Sequence, residues 1–132
     1  MTISQNVNRQ QSRWATVDVS YSALTSGAAA DAIQLPVGAV VVGGAVVVNT
    51  AFNSATSDAL VVGDSASANR YKSSFSIAAT GRTALVPTGY LTLSTTRTIK
   101  VTWTGSGTAP SAGSFRLEVE YIVPGRGDAV QE

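Results

Sequence analysis

Near the end of the chain Phe115, Leu117, Val119, Tyr121 and Val123 fall on every second residue, with Arg116, Glu118 and Glu120 between them. A period of two is what a pleated strand needs to put its apolar side chains on one face; a helix would scatter them around its circumference. The pattern recurs. Ile99, Val101 and Trp103 alternate with Thr98, Lys100, Thr102 and Thr104, and Ala15, Val17, Val19 and Tyr21 alternate with Thr16, Asp18 and Ser20. No stretch offers the 3.6-residue period of an amphipathic helix. The chain is therefore read as all-β, and 132 residues give room for one core.

Turn residues divide the remainder into short strands. Thr25-Ser26-Gly27 ends the first run, and Ile33-Gln34-Leu35 opens another. Pro36-Val37-Gly38 turns into a valine-rich segment, residues 39–52, in which Gly43-Gly44 reads as a bulge or corner. Residues 53–58 read as a loop, 59–62 as a strand, and Gly63-Asp64 as a turn. Residues 70–79 alternate with Tyr71, Phe75 and Ile77 on one face, and 90–93 form a further short strand. Residues 105–114 are small and join the last two strands as an antiparallel hairpin. About eight strands separated by loops predict an antiparallel β-sandwich, a jelly roll before an immunoglobulin-like arrangement. The domain spans 14–124, between an extended N-terminal arm (1–13) and a C-terminal tail (125–132).

Composition narrows the chemistry. Only 13% of the residues are charged, where about 25% is usual. Histidine and cysteine are absent, which removes Ser-His-Asp and Cys-His catalysis, zinc fingers and thiol redox centres. A net charge of +1 gives no electrostatic case for nucleic acid or an anionic membrane. Residues 37–48, the longest apolar stretch, are too few to span a bilayer as a helix. The polar opening residues lack a charged start leading into an apolar run, as expected of a protein without a signal peptide, made in the cytoplasm of its producer. The absence of cysteine fits a reducing compartment, and equally a particle that survives outside a cell. The charged face of residues 116–120 must be wet, whereas Thr, Ser, Ala and Val dominate the other outward faces. So little surface charge points to partial coverage by neighbouring subunits.

The candidate motifs are weak. Glu118 and Glu120 share a strand face at roughly 7 Å, a spacing glycosidases can use, but nothing sets their pKa values apart, so a solvated face explains them. Asp58 and Asp64 flank one strand and invite a calcium reading, yet Asx-turn roles suffice. Gly105, Gly107 and Gly113 lack the context of a phosphate loop and are read as hairpin flexibility. Arg126-Gly127-Asp128 matches the integrin tripeptide in what reads as a solvated tail. Arg70-Tyr71-Lys72 mixes base and aromatic, but Tyr71 belongs to the core. Arg9, Arg13 and Trp14 carry more weight: an acid-free arm ending at a tryptophan can lie across an adjacent subunit, Arg giving charge-assisted contacts and Trp an anchor. Trp14 merely opening the first core strand is an equal alternative. No catalytic residue, metal site or cofactor is predicted.

Leu35-Pro36-Val37-Gly38-Ala39-Val40, the run from Val48-Asn49-Thr50 to Thr56-Ser57-Asp58, and Val62-Gly63-Asp64 carry a resemblance. Thr80-Gly81-Arg82-Thr83-Ala84, the run opening Val101-Thr102-Trp103-Thr104-Gly105 and Val119-Glu120-Tyr121-Ile122-Val123-Pro124 extend it over nearly the whole chain after Trp14. The sequence resembles small virion structural proteins of tailed bacteriophages, in particular head decoration (cement) proteins. The resemblance implies a jelly-roll-like domain, often a homotrimer, seated on the capsid exterior where several copies of the major capsid protein meet. Its work would be mechanical, and multivalent attachment would turn weak contacts into durable ones. A carbohydrate- or receptor-binding module of a tail or fibre is the alternative; it would need Trp103 and Tyr90 exposed, whereas alternation points Trp103 inward. On this reading, removing residues 1–12 leaves the fold intact but weakens docking or oligomerisation.

Overall fold

Valine, isoleucine, threonine and aromatic residues crowd the alternating segments, and branched side chains of this kind pack well on a pleated surface. The computed structural model describes residues 11–124 and builds eight strands from them: β1 (Arg13–Ser20), β2 (Ala29–Gln34), β3 (Val40–Thr50), β4 (Ser57–Gly63), β5 (Lys72–Ser76), β6 (Gly81–Ala84), β7 (Thr98–Ser106) and β8 (Ser114–Ile122). A single 3-10 turn, Tyr21–Ala23, follows β1.

The pairings nest. β1 pairs with β8, β2 with β7, β3 with β6 and β4 with β5, all antiparallel, as if one long hairpin had been laid out first. Rolling that hairpin brings β8 against β3 and β7 against β4. The result is two four-stranded sheets ordered β1-β8-β3-β6 and β2-β7-β4-β5, the strand order of a jelly roll. The expected antiparallel β-sandwich is therefore present.

Inward residues meet between the layers. Val46, Leu117 and Val119 of one sheet and Leu60, Val62, Ile99 and Val101 of the other are at most 1% exposed. At one end of the core Phe52 lies 6.0 Å from the ring of Trp103 and 6.1 Å from that of Phe115. Trp103 points inward, as its alternation predicts, and Tyr71 is buried. Gly43 and Gly44 do form the expected bulge, where the β3–β8 register shifts. Gly44 adopts φ +139°, and a Cβ there would lie 2.3 Å from the Glu118 carbonyl oxygen, so only glycine fits.

Four expectations need correction. Residues 105–114 do not close a hairpin: β7 and β8 lie in opposite sheets and the segment crosses between them. Alternation reports which face of a strand is buried, and two strands facing each other across a core show the same pattern as two side by side. Gly105, Gly107 and Gly113 are not flexible spacers either. A Cβ would come within 2.4 Å of the Trp103 ring, 2.8 Å of Ala55 Cβ and 2.7 Å of the Phe52 ring respectively, so Gly105 and Gly113 let the backbone press onto the core aromatics and Gly107 lets the crossover lie against the exposed loop at residues 55–56. Residues 90–93 are not a strand but make one bridge, Leu91 to Val40, while the sixth strand is Gly81–Ala84. Asp58 is not in a loop; it lies in β4, 2% exposed.

A candidate docking face at the terminal end of the sandwich

Arg13 and Trp14 open β1, opposite Tyr121 and Glu120 near the end of β8. Arg9 and the Arg126-Gly127-Asp128 tripeptide lie outside the described residues. Trp14 is 57% exposed on the outer face of its sheet, so it opens the first strand without joining the core. In register beyond it come Glu120 and then Gly43. The Glu120 carboxylate folds over that glycine, and a Cβ on Gly43 would lie 3.1 Å from its Oε1. One step toward the sheet end, Ile122, Val40 and Leu91 form a second cross-strand row, with Val42 exposed beside it.

Two loops complete this end. The Ala39 N–H donates to the Pro36 carbonyl at 3.3 Å with Gly38 at φ +84°, the geometry of a type II turn that needs glycine at its third position. That turn lifts Val37 outward, 52% exposed. Thr92 holds it in place: its hydroxyl donates to the Pro36 carbonyl at 2.9 Å and accepts from the Ala39 N–H at 3.0 Å, with the side chain buried. Because Thr92 points in, Leu91 and Leu93 on either side point out, 50% and 54% exposed. The polarity of an ordinary surface strand is inverted here, since the hydroxyl is satisfied inside and the leucines face water.

The segment carrying the leucines is anchored twice more. Thr96 accepts from the Leu93 N–H at 2.9 Å and shares a 3.0 Å hydrogen bond with the Tyr90 hydroxyl. The guanidinium of Arg70 stacks 3.5 Å from the Tyr90 ring centroid and donates through Nε to Asp64 at 2.5 Å. Asp64 also accepts the N–H groups of Ala66 and Ser67, both at 2.9 Å, the Asx-turn role expected of it. The leucines therefore project from a stiff knuckle tied to three loops.

The other singled-out groups have structural partners. Asp58 accepts from Trp103 Nε1 at 2.9 Å and from the Ser54 N–H at 2.9 Å. Glu118 accepts from Arg116 Nε at 2.7 Å on the outer face of β8, which is half-buried because β8 is a central strand. The expectation of a fully wet charged face is thus only partly met. Trp103 is buried and one face of Tyr90 is covered by Arg70, so neither aromatic is set out for a sugar ring. No group of three or more metal-ligating side chains occurs among the described residues. What this end can do chemically is dock by apolar contact. Sequence patterning did not reveal it, because Leu91-Thr92-Leu93 has the same alternation as a strand and only the buried hydrogen bonds of Thr92 reverse its sense.

No protein-family model and no curated protein matches the sequence. Solved structures do match the fold. The chain is similar to one in the cyanophage Pam1 capsid asymmetric unit, with 23% identity and a TM-score of 0.73 over 94% of this chain and 93% of that one. It is also similar to one in the acidic stable capsid structure of Helicobacter pylori bacteriophage KHP30, with 18% identity and a TM-score of 0.63 over 86% of this chain and 88% of that one.

Proposed function

We propose that the chain is a non-enzymatic structural protein of a phage virion, and more finely a decoration protein that sits on the capsid exterior across junctions of the major capsid protein as a homotrimer, made in the host cytoplasm. The observation that carries this reading is the end-to-end likeness to a chain in a phage capsid assembly, which spans the whole domain and not a shared substructure. The low charge and the apolar knuckle support it, since both suit a surface that spends its life covered.

The mechanism is adhesion. Fully burying a leucine or valine is worth about 1.5–3 kcal/mol, and Val37, Leu91 and Leu93 are each about half exposed, so covering all three supplies roughly 2–5 kcal/mol per subunit. That is comparable to the cost of immobilising one protein on another, so a single subunit binds weakly. Three linked subunits share the cost, and their combined hold resists separation of the capsid proteins beneath. Arg9, Arg13 and Trp14 add contacts of their own, with Trp14 as an anchor.

Co-sedimentation with emptied heads of the parent phage tests this. The wild-type protein should pellet with heads and raise their disruption temperature. The Leu91→Asp/Leu93→Asp double variant should bind at least about tenfold more weakly while keeping its far-ultraviolet spectrum and unfolding midpoint. A folded wild-type protein that stays in the supernatant would overturn the reading.

A further inference from the structure

On the flank of the sandwich β1 and β2 run past each other without pairing; among the described residues each is bonded to one strand only, β8 and β7. Between them lies a cleft of about 180 Å³, lined by Val17, Val19, Leu24, Ala30 and Ala32. The two charged residues on its lining, Asp18 and Asp31, are both acidic; Asp31 is ion-paired with Lys100, which leaves Asp18 as the carboxylate facing an incoming base. An apolar cleft beside two strand edges that, among the described residues, pair with no further strand is a template for an added extended segment.

We infer that this cleft receives residues 3–9 of a second copy of the chain. Those residues match it in three respects. Residues 1–17 contain no acid, and Arg9 is the first base among them, opposite in sign to the cleft rim. Ile3 and Val7 are too few to make a recognisable alternating strand, but four positions apart they fall on one face of an extended chain. The same face carries Arg9, so two aliphatic side chains can enter the cleft while the guanidinium meets Asp18.

The donor is a neighbour and not the same molecule. β1 starts at Arg13, at the sheet end, and heads along the cleft, so a segment returning within its own subunit must reverse at Gln10-Gln11-Ser12-Arg13. That run has no Gly, Asn, Asp or Pro to make a tight reversal, and its Ser12 offers only the weaker hydroxyl turn. Extended at about 3.3 Å per residue, ten residues reach roughly 33 Å, enough to cross to an adjoining subunit. The inference rests on the self-association in the proposed function and not on capsid binding.

The chain has no cysteine, so cross-linking gives a clean test in solution without capsids. Two single variants, Val7→Cys and Ala32→Cys, are co-expressed with tags of different size and mildly oxidised. A disulfide-linked species at the sum of the two masses is expected, and Ala30→Cys in place of Ala32→Cys should give the same product. Carrying both cysteines on one chain should give linked oligomers; an internally linked monomer would overturn the inference. So would a failure of both pairs to cross-link. Val7→Asp should weaken self-association at least about tenfold with the unfolding midpoint of the subunit unchanged. Loss of capsid binding with cross-linking intact would strike only the proposed function.

Discussion

Tyr71 combines two facts that rarely coexist: it is 1% exposed, and its hydroxyl has no hydrogen-bond partner among the described residues. Burial, aided by the nearby Asp64 carboxylate, pushes the phenol up to about 12. Below pH 10 the folded and unfolded phenols both keep their proton, so stability is unaffected. Between pH 10 and about 12 the unfolded phenol ionises while the folded one does not, and stability falls. Tyr71→Phe should remove this alkaline loss, about 2–3 kcal/mol across that window, and should leave stability at pH 7 unchanged or slightly higher. Urea midpoints of both proteins at pH 8 and pH 11 check it. At this scale the sequence was informative for Tyr71 and Trp103, whose inward direction follows from alternation. It was silent on Asp58, because the group that makes its burial tolerable is an indole 45 positions away.

Among the elements, β3 depends most on one residue. A Cβ on Gly44 would strike the Glu118 carbonyl oxygen at 2.3 Å and Val119 Cα at 3.1 Å, both backbone of the neighbouring strand that cannot give way. Gly44→Ala should therefore cost about 3 kcal/mol or more, seen as a lowered denaturation midpoint. At Gly43 the nearest atom is the movable Glu120 Oε1 at 3.1 Å, so Gly43→Ala should cost less than about 1 kcal/mol. The Gly43-Gly44 pair was legible as a bulge. The exchange of the expected strand at 90–93 for Gly81–Ala84 was not, because strand pairing is a property of neighbours: residues 81–84 find β3 alongside, whereas residues 90–93 spend their hydrogen bonds on the 36–39 turn.

For the whole molecule, every pairing except β4 with β5 joins segments far apart in the chain, and β1 pairs with β8 across almost its entire length. Loops that long must close before their contacts can repay the entropy, so refolding should take milliseconds to seconds. Stopped-flow fluorescence of a Trp14→Phe variant, with buried Trp103 as reporter, measures this; a microsecond phase carrying the full amplitude would contradict it. Alternation and turn chemistry were enough to read a sandwich of about eight strands. The jelly-roll order rests on pairings between distant segments that single-strand periodicity does not encode, which is why β7 and β8 read as a hairpin.

Nesting also decides how the domain responds to force. Arg13 stands opposite Tyr121, so β1 begins and β8 ends at the same end of the same sheet. Tension between the two chain ends would load the β1–β8 hydrogen bonds one after another, as in opening a zipper, not all at once as in shear. A load applied through the Leu91 knuckle instead enters the sheet at β3, in its interior, where each strand is bonded on both sides. The fold is thus mechanically anisotropic: easily peeled by its ends and stiff when gripped by its face.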